Sequence, residues 1–104
     1  MIIYVDIDET ICSHFDFNKG PRDYSKANPL HNRIEKINKL YDKGHTIVYW
    51  TARGTVTGLD WRDLTETQLK TWGAKYHDLK LGKPHYDLFI DDKNINSETF
   101  FKET

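Results

Sequence analysis

The chain has 104 residues, 15 Lys+Arg against 16 Asp+Glu for a net charge of −1, and 38% hydrophobic residues. That length suits one domain with a modest core, and the apolar fraction excludes a disordered composition. The charge balance argues against a surface that wraps nucleic acid wholesale, and a single cysteine, Cys12, excludes an intramolecular disulfide.

Residues 1–5 (MIIYV) are a short apolar run rich in Ile and Val, which predicts a buried strand. It ends at Asp6-Ile7-Asp8-Glu9-Thr10, where polar side chains crowd a strand end. The N-terminus lacks the basic start and long apolar stretch of a signal peptide, and no apolar run approaches the roughly 20 residues that span a bilayer. A cytoplasmic protein without membrane contact is the expectation. Residues 13–29 lack periodicity and hold Gly20, Pro21 and Pro29, so they predict a loop with a small hairpin or turn of its own. Loops that long in so small a domain are often functional, and this one is expected to serve as a lid. Leu30, Ile34, Ile37, Leu40 and Tyr41 share one face of a helix that Gly44 closes. Residues 45–50 (HTIVYW) predict a strand ending at Thr51, and residues 52–59 (ARGTVTGL) a loop. Residues 60–76 predict a helix with Trp61, Leu64, Leu69 and Trp72 inward, and 78–81 a short strand. Residues 86–90 (YDLFI) predict a further strand, ending at Asp91-Asp92. This alternation predicts an α/β fold with a parallel sheet, residues 1–104 forming a single domain.

In open α/β sheets the ligand site lies beyond the carboxyl ends of the strands. Parallel strands would therefore bring Asp6, Asp8, Thr51, Arg53, Asp91 and Asp92 to one edge. Two like charges about 4 Å apart repel by roughly 4 kcal/mol at an effective dielectric of 20, so such a cluster calls for protonation or a cation. Hard oxygen ligands select Mg²⁺ or Ca²⁺, and Mg²⁺ with a few carboxylates is the usual partner of phosphate. Lys83 in LGKPHYD offers a second positive charge and Thr51 a hydroxyl. An aspartate can attack phosphorus, and a second carboxylate can protonate the leaving oxygen and then activate water.

Several residues read more than one way. Lys80 and Lys93 compete with Lys83 for the phosphate-facing role. Arg53 reads equally as a phosphate or leaving-group contact and as a solvated loop residue. His14, Lys19 and Arg22 read as surface, none of the five histidines is assigned to a site, and Cys12 reads as a small packed residue. Trp50, Trp61 and Trp72 read as core rather than stacking platforms.

These motifs resemble those of the haloacid dehalogenase superfamily. DIDET is similar to its Asp-x-Asp-x-Thr motif after an apolar strand, IVYWTARG to its second motif, Lys83 in GKP to its third, and DLFIDDKNI to its fourth. The resemblance implies a Rossmann-like core and a Mg²⁺-dependent phosphomonoester hydrolase working through an aspartyl-phosphate. It implies Asp6 as nucleophile and metal ligand, and Asp8 as general acid/base with its backbone carbonyl on the metal. Thr51 and Lys83 would hold the phosphoryl oxygens, and Asp91 would be the third metal ligand with Asp92 assisting. Thr10 and Arg53 are further candidate substrate contacts. Neither the interval from Thr10 to Trp50 nor that from Thr51 to Lys83 has room for a cap domain. The chain thus resembles the capless subgroup, especially small proteins associated with capsular polysaccharide biosynthesis, which implies a sugar phosphate as substrate. An open site of this kind is expected to be covered by a homo-oligomer or partner when its substrate is small. A nucleotide or polynucleotide 3′-phosphate is the alternative substrate, and a catalytically idle interaction domain the alternative role. A phospho-acceptor receiver domain shares the parts but puts its acid pair after the first strand, whereas here the pair comes last.

Overall fold

A computed structural model describes residues 1–14 and 23–103. In chain order its elements are β1 (Ile2–Val5), β2 (Cys12–Ser13), a 3₁₀ turn (Tyr24–Lys26), β3 (Asn28–Pro29), α1 (His31–Asp42), β4 (Thr46–Trp50), α2 (Arg62–Thr71), β5 (Asp78–Lys80) and α3 (Ser97–Phe100). Strands β1, β4 and β5 form a parallel sheet in that spatial order, with Val5 opposite Tyr49 and Tyr49 opposite Leu79. Strands β2 and β3 form a two-stranded antiparallel ladder that closes the base of the 13–29 loop. The loop's tip, with Lys19, Gly20, Pro21 and Arg22, lies outside the described residues, and so does the lid expected there.

Strand alternation puts Ile3, Val5, Ile47, Tyr49 and Leu79 on one face of the sheet. Ile34 and Ile37 of α1 and Leu69 of α2 join them in the core. Both crossovers step the same way across the sheet, and right-handed connections then put both helices on the same face. Each buried isoleucine of α1 contributes about 2 kcal/mol by leaving water. The opposite face carries Ile2 and Tyr4, which remain 72% and 49% exposed. The result is an α/β, Rossmann-like core with a parallel sheet flanked by helices.

Helix α1 ends as its sequence predicts. Gly44 has φ +95, and the Gly44 and His45 amides donate back to the Tyr41 and Leu40 carbonyls. Helix α2 is shorter than the 60–76 window. Asp60 caps its start by accepting from the Arg62 amide, and Gly73, with φ +75, stops it. Its buried positions are Thr65 and Leu69, while Trp61, Leu64 and Trp72 are only half-buried. After α3, Phe101 returns to the core, and Lys36 Nζ donates to the Phe100 carbonyl at 2.7 Å. Among the described residues no helix is long and apolar enough to cross a membrane.

One predicted element is missing. Residues 86–90 form no strand, and Leu88, Phe89 and Ile90 are 75%, 40% and 87% exposed. The reason is reach. The Lys83 amide donates to the Thr51 carbonyl at 3.1 Å, which pins residue 83 at the carboxyl ends of the strands. A parallel strand beside β1 must start at the opposite end of the sheet, and such crossovers take about a dozen residues. Only Pro84 and His85 are available.

Candidate functional site

The site begins in the turn after β1. The Thr10 and Ile11 amides both donate to the Ile7 carbonyl, at 3.1 and 2.9 Å, and Glu9 adopts φ +60 between Asp8 and Thr10. A left-handed residue other than glycine costs roughly 1–2 kcal/mol. The Glu9 carboxylate accepts from the His14 amide at 3.1 Å, which ties the turn to β2.

Asp6 faces a cleft of about 620 Å³ with its side chain 34% exposed. The Thr10 hydroxyl donates to its Oδ2 at 3.1 Å, and Lys83 Nζ stands 3.2 Å from its Oδ1. Among the three competing lysines, Lys83 is the one against Asp6. Lys80 donates instead to the Tyr4 hydroxyl at 3.0 Å, and the Lys93 amide turns back onto Asp91.

Asp8 lies deeper, 11% exposed, beneath a buried polar cluster. Arg53 Nε donates to Asp8 Oδ2 at 3.0 Å and Arg53 Nη2 to Oδ1 at 2.9 Å, a forked pair. The Arg53 Nη1 edge donates to Thr65 Oγ1 and Gln68 Oε1 on α2, and its face lies 4.8 Å from the Tyr24 ring. His14 Nε2 stands 2.7 Å from Asp8 Oδ1. Burial alone would raise the Asp8 carboxyl. The His14 and Arg53 hydrogen bonds and the guanidinium charge outweigh it and hold the pKa at about 2. An ionised carboxylate only accepts, so His14 Nε2 carries the hydrogen.

Four expectations change here. Arg53 is not a solvated loop residue; it is 2% exposed and forked onto Asp8. His14 is not a surface residue; it is 7% exposed against the same carboxylate. Trp61 is half-buried and lines the cleft with Tyr24 and Tyr86 rather than filling the core. Thr51 is buried, and its hydroxyl accepts from the Arg53 amide at 3.2 Å, which shapes the loop rather than facing the cleft.

Asp91 and Asp92 do not join Asp6 and Asp8. They are exposed at the end of the segment that fails to reach β1, and Asp91 accepts from the Lys93 amide at 3.2 Å. The repulsion that called for a cation is met by protein groups, Lys83 on Asp6 and Arg53 on Asp8. Among the described residues one chain therefore fits Mg²⁺ poorly, because at the cleft Asp6 alone of them offers it an accessible carboxylate and hard cations want several oxygens. The metal-ligating side chains that do converge, among the described residues, are Asp8, Cys12 and His14. Burial and the Asp8 charge push the Cys12 thiol up to about 12, and Arg53 fills the shared Asp8 oxygen.

Sequence reasoning missed His14, Thr65, Gln68 and Tyr24. Thr65 and Gln68 carried a readable signal, two acceptors three positions apart beside Leu69 on one face of a helix. His14 and Tyr24 flank an aperiodic loop and carried none.

No family model and no curated protein matches the chain. Among solved structures it is similar to the crystal structure of an MCSG target from Vibrio cholerae. The TM-score is 0.81 at 23% sequence identity, covering 100% of this chain and 90% of that one. That likeness supports the α/β, Rossmann-like fold.

Proposed function

We propose that the protein is a phosphomonoester hydrolase of the haloacid dehalogenase type, with Asp6 as nucleophile. The observation that carries this is the Asp6 carboxylate, partly exposed at the cleft, braced by the Thr10 hydroxyl and 3.2 Å from Lys83 Nζ. A phosphate entering the cleft draws Lys83 toward its oxygens and frees an Asp6 oxygen. Asp6 forms a bond to phosphorus as the ester P–O bond breaks, and the leaving oxygen takes its proton from water, because Asp8 is ionised. Asp8 then accepts a proton from water, the hydroxide attacks the aspartyl-phosphate, and inorganic phosphate leaves with Asp6 regenerated. Arg53 does not touch the substrate; it fixes the Asp8 carboxylate. Mg²⁺ would supply positive charge to the phosphoryl group if Asp91 and Asp92 joined Asp6 to hold it.

Tyr24, Trp61 and Tyr86 wall the cleft, and such rings pack against the apolar face of a sugar. A sugar phosphate is the proposed substrate. A nucleotide is the second reading, because the same rings can stack on a base. The test is a panel of sugar and nucleotide phosphates with Mg²⁺ or with chelator, for the wild type and Asp6→Asn. Phosphate release by the wild type in Mg²⁺ alone, and none by Asp6→Asn, is expected. Equal release by Asp6→Asn would refute the nucleophile.

A further inference from the structure

The chain carries two unsatisfied surfaces of matching kind. One is the segment 86–90, apolar but for Asp87, outside any strand and exposed, with Leu88 at 75% and Ile90 at 87%. The other is β1. It stands at the edge of the sheet, and among the described residues it pairs only with β4. Its outward residues are apolar too, Ile2 at 72% exposed and Tyr4 at 49%, with Met1 at 79% beside them. Open apolar edges are templates for strand addition, and natural monomers blunt them with charge. The other edge strand, β5, is blunted in that way by exposed Asp78 and Lys80; β1 is not.

The segment cannot reach its own β1 in parallel. From residue 83, above β4, Tyr86 would have to travel about 13 Å down the sheet and about 10 Å across it, roughly 16 Å in all. Three residues span at most about 11 Å. An antiparallel placement would carry Asp91 and Asp92 to the end of the sheet away from Asp6. A second copy has neither restriction. Both ends of the segment are moored on the parent body, Lys83 at Thr51 with Tyr86 against it, and α3 on α1 through Arg33–Glu98, and the stretch between them is exposed as an arm.

We propose that the protein is a dimer in which the arm of each copy, residues 87–92, lies as a parallel strand along β1 of the other, while Tyr86 stays at its own cleft. Each site then takes Asp6, Asp8 and Lys83 from one copy and Asp91 and Asp92 from its partner. The exchange is isologous, since the same arm and the same edge serve both copies. It adds two carboxylates to the one that the described residues of a single chain offer Mg²⁺ at the cleft, and it buries Leu88 and Ile90 together with Ile2 and Tyr4. What the shared carboxylates do rests on the phosphatase reading; the dimer does not.

Sedimentation of the full chain should give twice 12.3 kDa. The double variant Leu88→Lys, Ile90→Lys and, separately, Ile2→Lys should each give 12.3 kDa with an unchanged circular dichroism spectrum, because these side chains are exposed in the single chain. Asp6→Asn and Asp91→Asn should each be inactive alone. Mixed in equal amounts and allowed to exchange subunits, they should recover about a quarter of wild-type turnover, since half the dimers are hybrids with one intact site of two. A monomeric wild type, or a dimer that ignores the lysines, overturns the arm exchange. Full activity in Asp91→Asn, or inactive parents with no recovery on mixing, overturns the shared site. A wild type that releases no phosphate defeats the phosphatase reading and leaves the masses to decide the dimer.

Discussion

Replacing Arg53 with methionine keeps much of its packing and removes its charge. Asp8 then loses a forked partner at 2.9 and 3.0 Å while remaining 11% exposed, and Thr65 and Gln68 lose their donor. Removing one partner of a buried pair costs roughly 3–5 kcal/mol. The carboxyl itself gives a check. Its pKa falls from 3.8 to about 2, which corresponds to about 2 kcal/mol of stability at neutral pH, shared between Arg53 and His14. About 1 kcal/mol for each orphaned acceptor brings the total into the same range. The sign follows from the direction of the shift. A depressed carboxyl stabilises the fold fully above its unfolded pKa, and that stability is lost as pH falls through the folded value. Urea unfolding should therefore show Arg53→Met weaker by about 3–5 kcal/mol at pH 7. At pH 3 the gap should be narrower by about 1 kcal/mol. A loss below about 1 kcal/mol at pH 7, the scale of an exposed ion pair, would refute the buried clamp. So would a gap that stays constant with pH.

Lys83→Met should leave urea stability within about 1 kcal/mol, because its partner Asp6 is partly solvated, while lowering kcat/KM by roughly 10²–10³. Gly54→Ala should destabilise by about 2 kcal/mol and raise KM, since Gly54 holds φ +82 and an added Cβ would lie 2.1 Å from the Leu59 carbonyl oxygen at the cleft wall. Unfolding curves and steady-state kinetics check both. Iodoacetamide at pH 8 should spare Cys12 in the native protein and label it in urea, because burial pushes the thiol up to about 12.

Much of the fold could be read from periodicity. The apolar runs of β1 and β4, the helix face of Ile34 and Ile37, and the stop at Gly44 are local features, and local physics decides them. The meeting of Asp6, Asp8 and Lys83 was legible one level up, because parallel strands align their carboxyl ends. Arg53 was not. A charged residue in a glycine-punctuated loop reads as solvated, and it is buried only because Thr65 and Gln68 of α2 supply acceptors fifteen or fewer residues away. His14 was hidden because β2 and β3 have two residues each, too few to show a period. The segment 86–90 has the composition of a strand, but pairing needs reach as well as pattern, and Pro84 and His85 are too short a bridge.

The central claim is that Asp6 becomes phosphorylated. Asp8→Asn keeps the Asp6 carboxylate and removes the group that activates water, so an aryl phosphate, whose leaving group needs little protonation, should phosphorylate the protein and stall there. Rapid acid quench of Asp8→Asn with an aryl phosphate and Mg²⁺, followed by peptide mass spectrometry, should find the phosphoryl group on Asp6. Label on any other residue, or wild-type turnover in Asp6→Asn under the same conditions, would contradict the account.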